Sequence, residues 1–82
     1  MKVKVLGSGC SSCHRVHDIV RQVITELNLE DATIQDVTDI REIMRYPIMY
    51  TPALVIDEKV VCAGRIPSKA EVTTWLTTAL MA

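Results

Sequence analysis

The sequence predicts an α/β fold, a four-stranded mixed sheet covered by helices in the order βαβαββα. Three patterns carry this. A long amphipathic helical stripe lies between two short apolar-rich runs, two β-branched runs are separated by only a few polar residues, and the chain closes on a capped helix. A strand, a helix and a second strand give a parallel pair, and the later hairpin adds two antiparallel strands.

The elements follow in order. Residues 2–6 read as a strand with Val3 and Val5 on one face, broken by Gly7-Ser8-Gly9. Val16, Ile19, Val20, Val23, Ile24 and Leu27 then recur at the i, i+3, i+4, i+7 spacing of a buried helical stripe, with Asn28 as its stop. Residues 32–37 form a second short strand. Asp39 and Glu42 have the spacing of a capping box, opening a short helix with Ile40, Ile43 and Met44 inward; Pro47 ends it, because Tyr46 is driven out of the helical region. Residues 53–56 and 60–63 are β-branched runs joined by Asp57-Glu58-Lys59, a hairpin. Ser68 and Glu71 make a second capping box, and the last helix is expected to bury Val72, Trp75, Leu76, Ala79 and Leu80.

Bulk properties narrow the function classes. With 82 residues and 49% hydrophobic content, one domain spanning residues 1–82 with one small core is expected, not a disordered chain. Nine basic against ten acidic residues give a net charge of -1, without a basic run. Binding to nucleic acid or an anionic membrane surface has no electrostatic footprint in such a sequence. No apolar stretch approaches the ~18 residues of a membrane span. The alternating Lys and Val at the start lack the apolar core of a signal peptide, so a cytoplasmic location is expected if Met1 is the true start. Three cysteines is an odd number, which argues against a secreted disulfide framework.

Two of those cysteines sit as Cys10-Ser11-Ser12-Cys13 at the mouth of the long helix. A helix N-terminus carries unpaired N–H groups and partial positive charge that stabilise a thiolate, the form that attacks disulfides. The spacing of one turn brings the second sulfur within disulfide reach. On the helical wheel Cys13 falls about 50° from the centre of the apolar face and Cys10 about 110°. Cys10 is therefore the expected exposed nucleophile and Cys13 the more buried thiol that resolves a mixed disulfide. Cys62, inside a β-branched strand, reads as a buried small hydrophobe.

The whole chain resembles the thioredoxin superfamily, in particular the small archaeal and bacterial thioredoxin-like proteins called redox-active disulfide proteins. The resemblance rests on the strand, Gly7-Ser8-Gly9, Cys10-Ser11-Ser12-Cys13 and the helix, together with Thr51-Pro52-Ala53-Leu54-Val55-Ile56 leading into a hairpin. It implies a thioredoxin fold and a dithiol–disulfide oxidoreductase without a cofactor. It also implies that Pro52 is cis and faces the dithiol, and that Thr51 offers its backbone to a substrate chain. The partners so implied are disulfide-containing proteins and an upstream reductase, with the chain acting as a monomer. The sequence departs from ordinary thioredoxins where Gly9 replaces Trp and Ser11-Ser12 replaces Gly-Pro, and where the first strand lacks a buried acid. At the place of the glutaredoxin Gly-Gly motif it reads Ala63-Gly64-Arg65-Ile66, a poor match to a glutathione site.

Two other chemistries share these residues. Cys10, Cys13, His14 and His17 fall at i, i+3, i+4 and i+7, a spacing that suits Zn²⁺ or Cu⁺. Heavy-metal-associated domains begin in the same way but end on a strand, whereas this chain ends on a helix. Cys10-Ser11-Ser12-Cys13-His14 also matches c-type haem attachment, which ordinarily accompanies export. Tyr46, Met49 and Tyr50 either shape an apolar rim beside Thr51 for partner proteins or simply pack.

Overall fold

The computed structural model describes residues 1–7, 9 and 11–81. Its elements are β1 (Lys2–Leu6), α1 (Ser11–Glu26), β2 (Thr33–Val37), α2 (Ile40–Ile43), β3 (Ala53–Ile56), β4 (Lys59–Ala63) and α3 (Lys69–Met81), in the expected βαβαββα order. They form one mixed sheet in the order β2-β1-β3-β4, with β1 parallel to β2 and antiparallel to β3, and with β3 and β4 forming the hairpin.

Strand alternation divides the core between the two sheet faces. Val3 and Val5 of β1, Leu54 and Ile56 of β3, and Cys62 of β4 meet Val16, Val20 and Val23 of α1 and Val72 and Leu76 of α3. On the other face Leu6, Val37, Ala53 and Val55 meet Ile43 of α2, with Tyr46, Ile48 and Val60 at the margin. Every residue of β3 is buried, as a strand covered on both sides must be. Burying a Val or Leu side chain contributes on the order of 1.5–3 kcal/mol, so these two clusters are the main source of stability.

Local chemistry sets the element ends. Asn28 adopts φ 56°; its N–H donates to the Thr25 carbonyl and that of Leu29 to the Ile24 carbonyl, which closes α1 in a Schellman motif. The β3–β4 turn consists of two residues, since Ile56 pairs with Lys59, and Asp57 and Glu58 both have positive φ (48° and 68°). That handedness matches the twist of a tight hairpin. Further along, Leu54 pairs with Cys62 while Val55 pairs with Val60, so Val61 is the extra residue of a β-bulge. The Ser68–Glu71 capping box closes in both directions: the Glu71 N–H donates to Ser68 Oγ and the Ser68 N–H to Glu71 Oε1, each at 3.1 Å.

Several expected details change. Asp39 caps α2 through the Arg41 N–H, but Glu42 pairs with Arg45 instead of completing a box. This helix is a single turn and can bury only one side chain, Ile43, leaving Ile40 and Met44 64% and 74% exposed. Leu27 and Leu80 lie at helix ends, beyond the reach of the sheet, and are also exposed. No helix among the described residues is long and apolar enough to cross a membrane.

Candidate active site at the mouth of α1

β1 delivers the chain to the site. Beyond its last residue the Gly7 N–H still donates to the Val37 carbonyl at 3.0 Å, which extends the parallel pairing by one step. A Cβ at Gly7 would fall onto Cys13 Sγ and would stand 3.8 Å from Thr51 Cβ. The absence of a side chain at Gly7 is therefore what lets the Cys13 sulfur lie against the end of β1, with Thr51 close by. Gly9 follows at φ 88°, a backbone conformation that side chains resist. Cys13, in the first turn of α1, is only 6% exposed, in agreement with its place near the apolar stripe. Cys10, the expected nucleophile, lies outside the described residues.

The Thr51–Pro52 peptide bond is cis. Pro52 is buried and its carbonyl accepts the Gly64 N–H at 2.9 Å, while Thr51 is exposed. Gly64 adopts φ 79°, and a Cβ there would come 3.1 Å from Tyr50 Cβ. The loop carrying the proline is thus fastened to the end of β4. Beside Thr51, Met49 and Tyr50 are strongly exposed and share an open groove of about 290 Å³ with Ile40 and Met44. Tyr46 does not belong to this rim. It is half-buried over the other sheet face, where its hydroxyl accepts from Lys4 Nζ at 2.9 Å and donates to Glu58 Oε2 at 3.1 Å. Glu58 first and Tyr46 second hold the Lys4 ammonium well above its usual range, and Lys4 in turn lowers the Glu58 carboxyl.

The two histidines separate. His14 is exposed and faces a small cavity of about 60 Å³ that Gly7, Gly9, Cys13, Asp36 and Thr38 also line. His17 Nδ1 donates to Asp36 Oδ1 at 2.8 Å, tying α1 to the edge strand β2. Among the described residues no three His, Cys, Asp or Glu side chains converge as a metal site. Sequence reasoning missed both Gly7 and Asp36. Gly7 was legible only as a strand breaker, and the i+4 spacing of Cys13 and His17 pointed to shared ligands, not to an acid across the sheet.

Cys62 lies in the core against α1 and α3, 7% exposed, with its thiol directed at the Arg65 carbonyl at 3.7 Å. Burial pushes this thiol up, and the Arg65 charge offsets part of the shift. Arg65 itself forms a two-pronged pair with Glu71 at 3.0 and 2.6 Å. That pair, followed by the Ser68 N–H, lowers the Glu71 carboxyl to about 2.

The family profile described as "Thioredoxin domain" matches residues 1–77. The chain belongs to the thioredoxin family. It is 34% identical over 70 residues to a thioredoxin of Methanocaldococcus jannaschii, covering 85% of this chain and 79% of that protein. To a thioredoxin of Methanothermobacter thermautotrophicus it is 28% identical over 72 residues, covering 88% and 92%. Reduced Escherichia coli glutaredoxin superposes over the full length of both chains with a TM-score of 0.61 at 20% identity, a likeness of fold. Membership of the thioredoxin family makes the protein a dithiol–disulfide oxidoreductase.

Proposed function

We propose that Cys10 and Cys13 are the working couple and that it reduces, or exchanges with, disulfides of partner proteins. The observation that carries this reading is the placement of Cys13: one turn after a CxxC begins, withdrawn from solvent, against a side-chain-free Gly7 and close to Thr51 of the cis Thr51–Pro52 bond. In this reading Cys10 attacks a substrate disulfide and forms a mixed disulfide. Cys13 then attacks the Cys10 sulfur, releases the reduced substrate thiol and leaves the Cys10–Cys13 disulfide. Thr51 pairs its backbone with the substrate chain, and Met49 and Tyr50 receive apolar side chains beside it. An upstream reductase restores the dithiol, the protein works as a monomer, and a reducing compartment such as the cytoplasm suits the cycle.

The test is trapping. Cys13→Ser is expected to accumulate a stable mixed disulfide with a disulfide substrate such as insulin, whereas Cys10→Ser accumulates little. With limiting iodoacetamide at neutral pH, mass spectrometry of the reduced protein is expected to find label mainly on Cys10. Label mainly on Cys13, or equal trapping by both variants, would overturn the assignment.

A further inference from the structure

We propose that Asp36, held in place by His17, accepts the proton that Cys13 must lose when it resolves a mixed disulfide. The inference rests on the reading of Cys13 as the resolving thiol. Cys13 is withdrawn from solvent, and to resolve a mixed disulfide it must give up its proton inside the protein. The cavity of about 60 Å³ supplies a route, because Cys13 and Asp36 both line it. That space is large enough to admit water between the thiol and the carboxylate.

The topology places Asp36 there. β2 pairs parallel to β1, with Asp36 opposite Val5, and alternation puts Asp36 on the same face as Ile34, toward α1. One turn along α1 from Cys13, His17 Nδ1 donates to Asp36 Oδ1 at 2.8 Å and fixes the carboxylate; its second oxygen remains available as an acceptor. The His17 side chain is 26% exposed and that of Asp36 53%, so a proton taken from the cavity can pass on to bulk water. Among the described residues, α1 presents His14 and His17 toward this carboxylate. β1 presents no charge, since its Lys4 ammonium is bound to Glu58 and Tyr46 on the opposite face. The loop after β2 adds the uncharged Thr38.

The step balances as follows. The Cys13 S–H proton passes through water to the Asp36 carboxylate as the Cys13 sulfur bonds to Cys10 Sγ. The bond from Cys10 to the substrate sulfur breaks, and that sulfur leaves as a thiolate with the electron pair. The two protein cysteines are oxidised and the substrate half is reduced. In the reverse direction protonated Asp36 returns the proton to Cys13. His17 is a positioning residue for this carboxylate.

The experiment uses the full chain carrying Cys62→Ser, reduced and mixed with one equivalent of dithiobis(nitrobenzoate). Attack by the first cysteine releases one thionitrobenzoate, and resolution by the second releases another, so the two steps separate in time. Asp36→Asn is expected to leave the first phase unchanged and slow the second about 10- to 100-fold, the lower range of general-base effects. The second phase should then rise in proportion to hydroxide across the neutral range, because the thiol must ionise to solvent first. Asp36→Glu should recover most of the rate, and His17→Gln, which keeps a donor, should lose less than His17→Ala. An unchanged second phase in Asp36→Asn overturns the inference and leaves the dithiol reading standing. So does a loss that appears in His14→Gln instead. A loss shared equally by the Asn and Glu variants, with lowered melting temperatures, also overturns it by making Asp36 structural. A parent protein that releases only one thionitrobenzoate has no resolving cysteine, and the proposed function itself then fails.

Discussion

Cys13 and Cys62 are withdrawn from solvent to nearly the same degree, 6% and 7% exposed, yet their surroundings differ in kind. Cys62 is part of the apolar cluster between the sheet, α1 and α3, and its thiol faces a backbone carbonyl. Cys13 belongs to neither cluster. It lies against a glycine and lines a small cavity together with an edge-strand carboxylate. Equal burial therefore does not mean equal surroundings. If Cys13 is the resolving thiol and Cys62 a core residue, the difference lies in the neighbouring groups that can accept a proton or admit a second sulfur.

The largest expected break in this comparison comes from removing the sulfurs. Cys13→Ser and Cys10→Ser should each reduce insulin reduction by dithiothreitol to the uncatalysed background, while Cys62→Ala keeps the wild-type rate. Loss of activity in Cys62→Ala with an intact fold would place Cys62 in the redox cycle and erase the contrast. Gly7→Ala comes next. Its Cβ would collide with Cys13 Sγ, so the sulfur or the end of β1 must move. Overpacking of this kind costs about 1–3 kcal/mol, or about 4–8 °C of melting temperature per kcal/mol in a chain this short. Activity should fall further than stability, because Cys13 is displaced; wild-type turnover in Gly7→Ala would show that the close approach is not needed.

Cys62→Ser should cost about 1–2 kcal/mol relative to Cys62→Ala, since a hydroxyl in the apolar cluster loses more hydration than a methyl group. Chemical denaturation of the two variants measures the difference. The smallest effect concerns the ion pair behind Cys62. The Glu71 carboxyl titrates at about 2 in the folded chain against an ordinary 4.5, so its contribution is complete above pH 4.5 and fades as pH falls toward 2. Glu71→Gln should therefore lower the melting temperature at neutral pH, with the gap to wild type closing in acid. Modification of Cys62 should quicken slightly in this variant and that of Cys13 should not change.

Most of the scaffold was legible in the sequence. The strand and helix order, the stop at Asn28, the Ser68–Glu71 box and the depth of Cys13 and Cys62 all follow from periodicity and capping chemistry. Side-chain direction in short elements was not. α2 has too few residues to define a face, so Ile40 and Met44 read as core but line the groove beside Thr51. Tyr46 read as a candidate rim residue, but its hydroxyl is taken by Lys4 and Glu58, residues distant in sequence. The His17–Asp36 contact joins a helix to an edge strand 19 positions away, a relation that no local period encodes.

The bulge at Val61 bears on how this chain tolerates changes in length. With a two-residue turn, a straight ladder would place Val61 opposite Leu54 and Ala63 opposite Pro52. The bulge advances the register by one, so that Cys62 faces Leu54 and the Gly64 N–H reaches the Pro52 carbonyl. Deleting Val61 would leave the regular ladder with those same downstream partners. A strand interior is ordinarily the last place where a chain accepts an insertion or deletion. Here it holds a residue that can be removed without re-registering the cis-proline loop, at the expense of the packing Val61 gives the core.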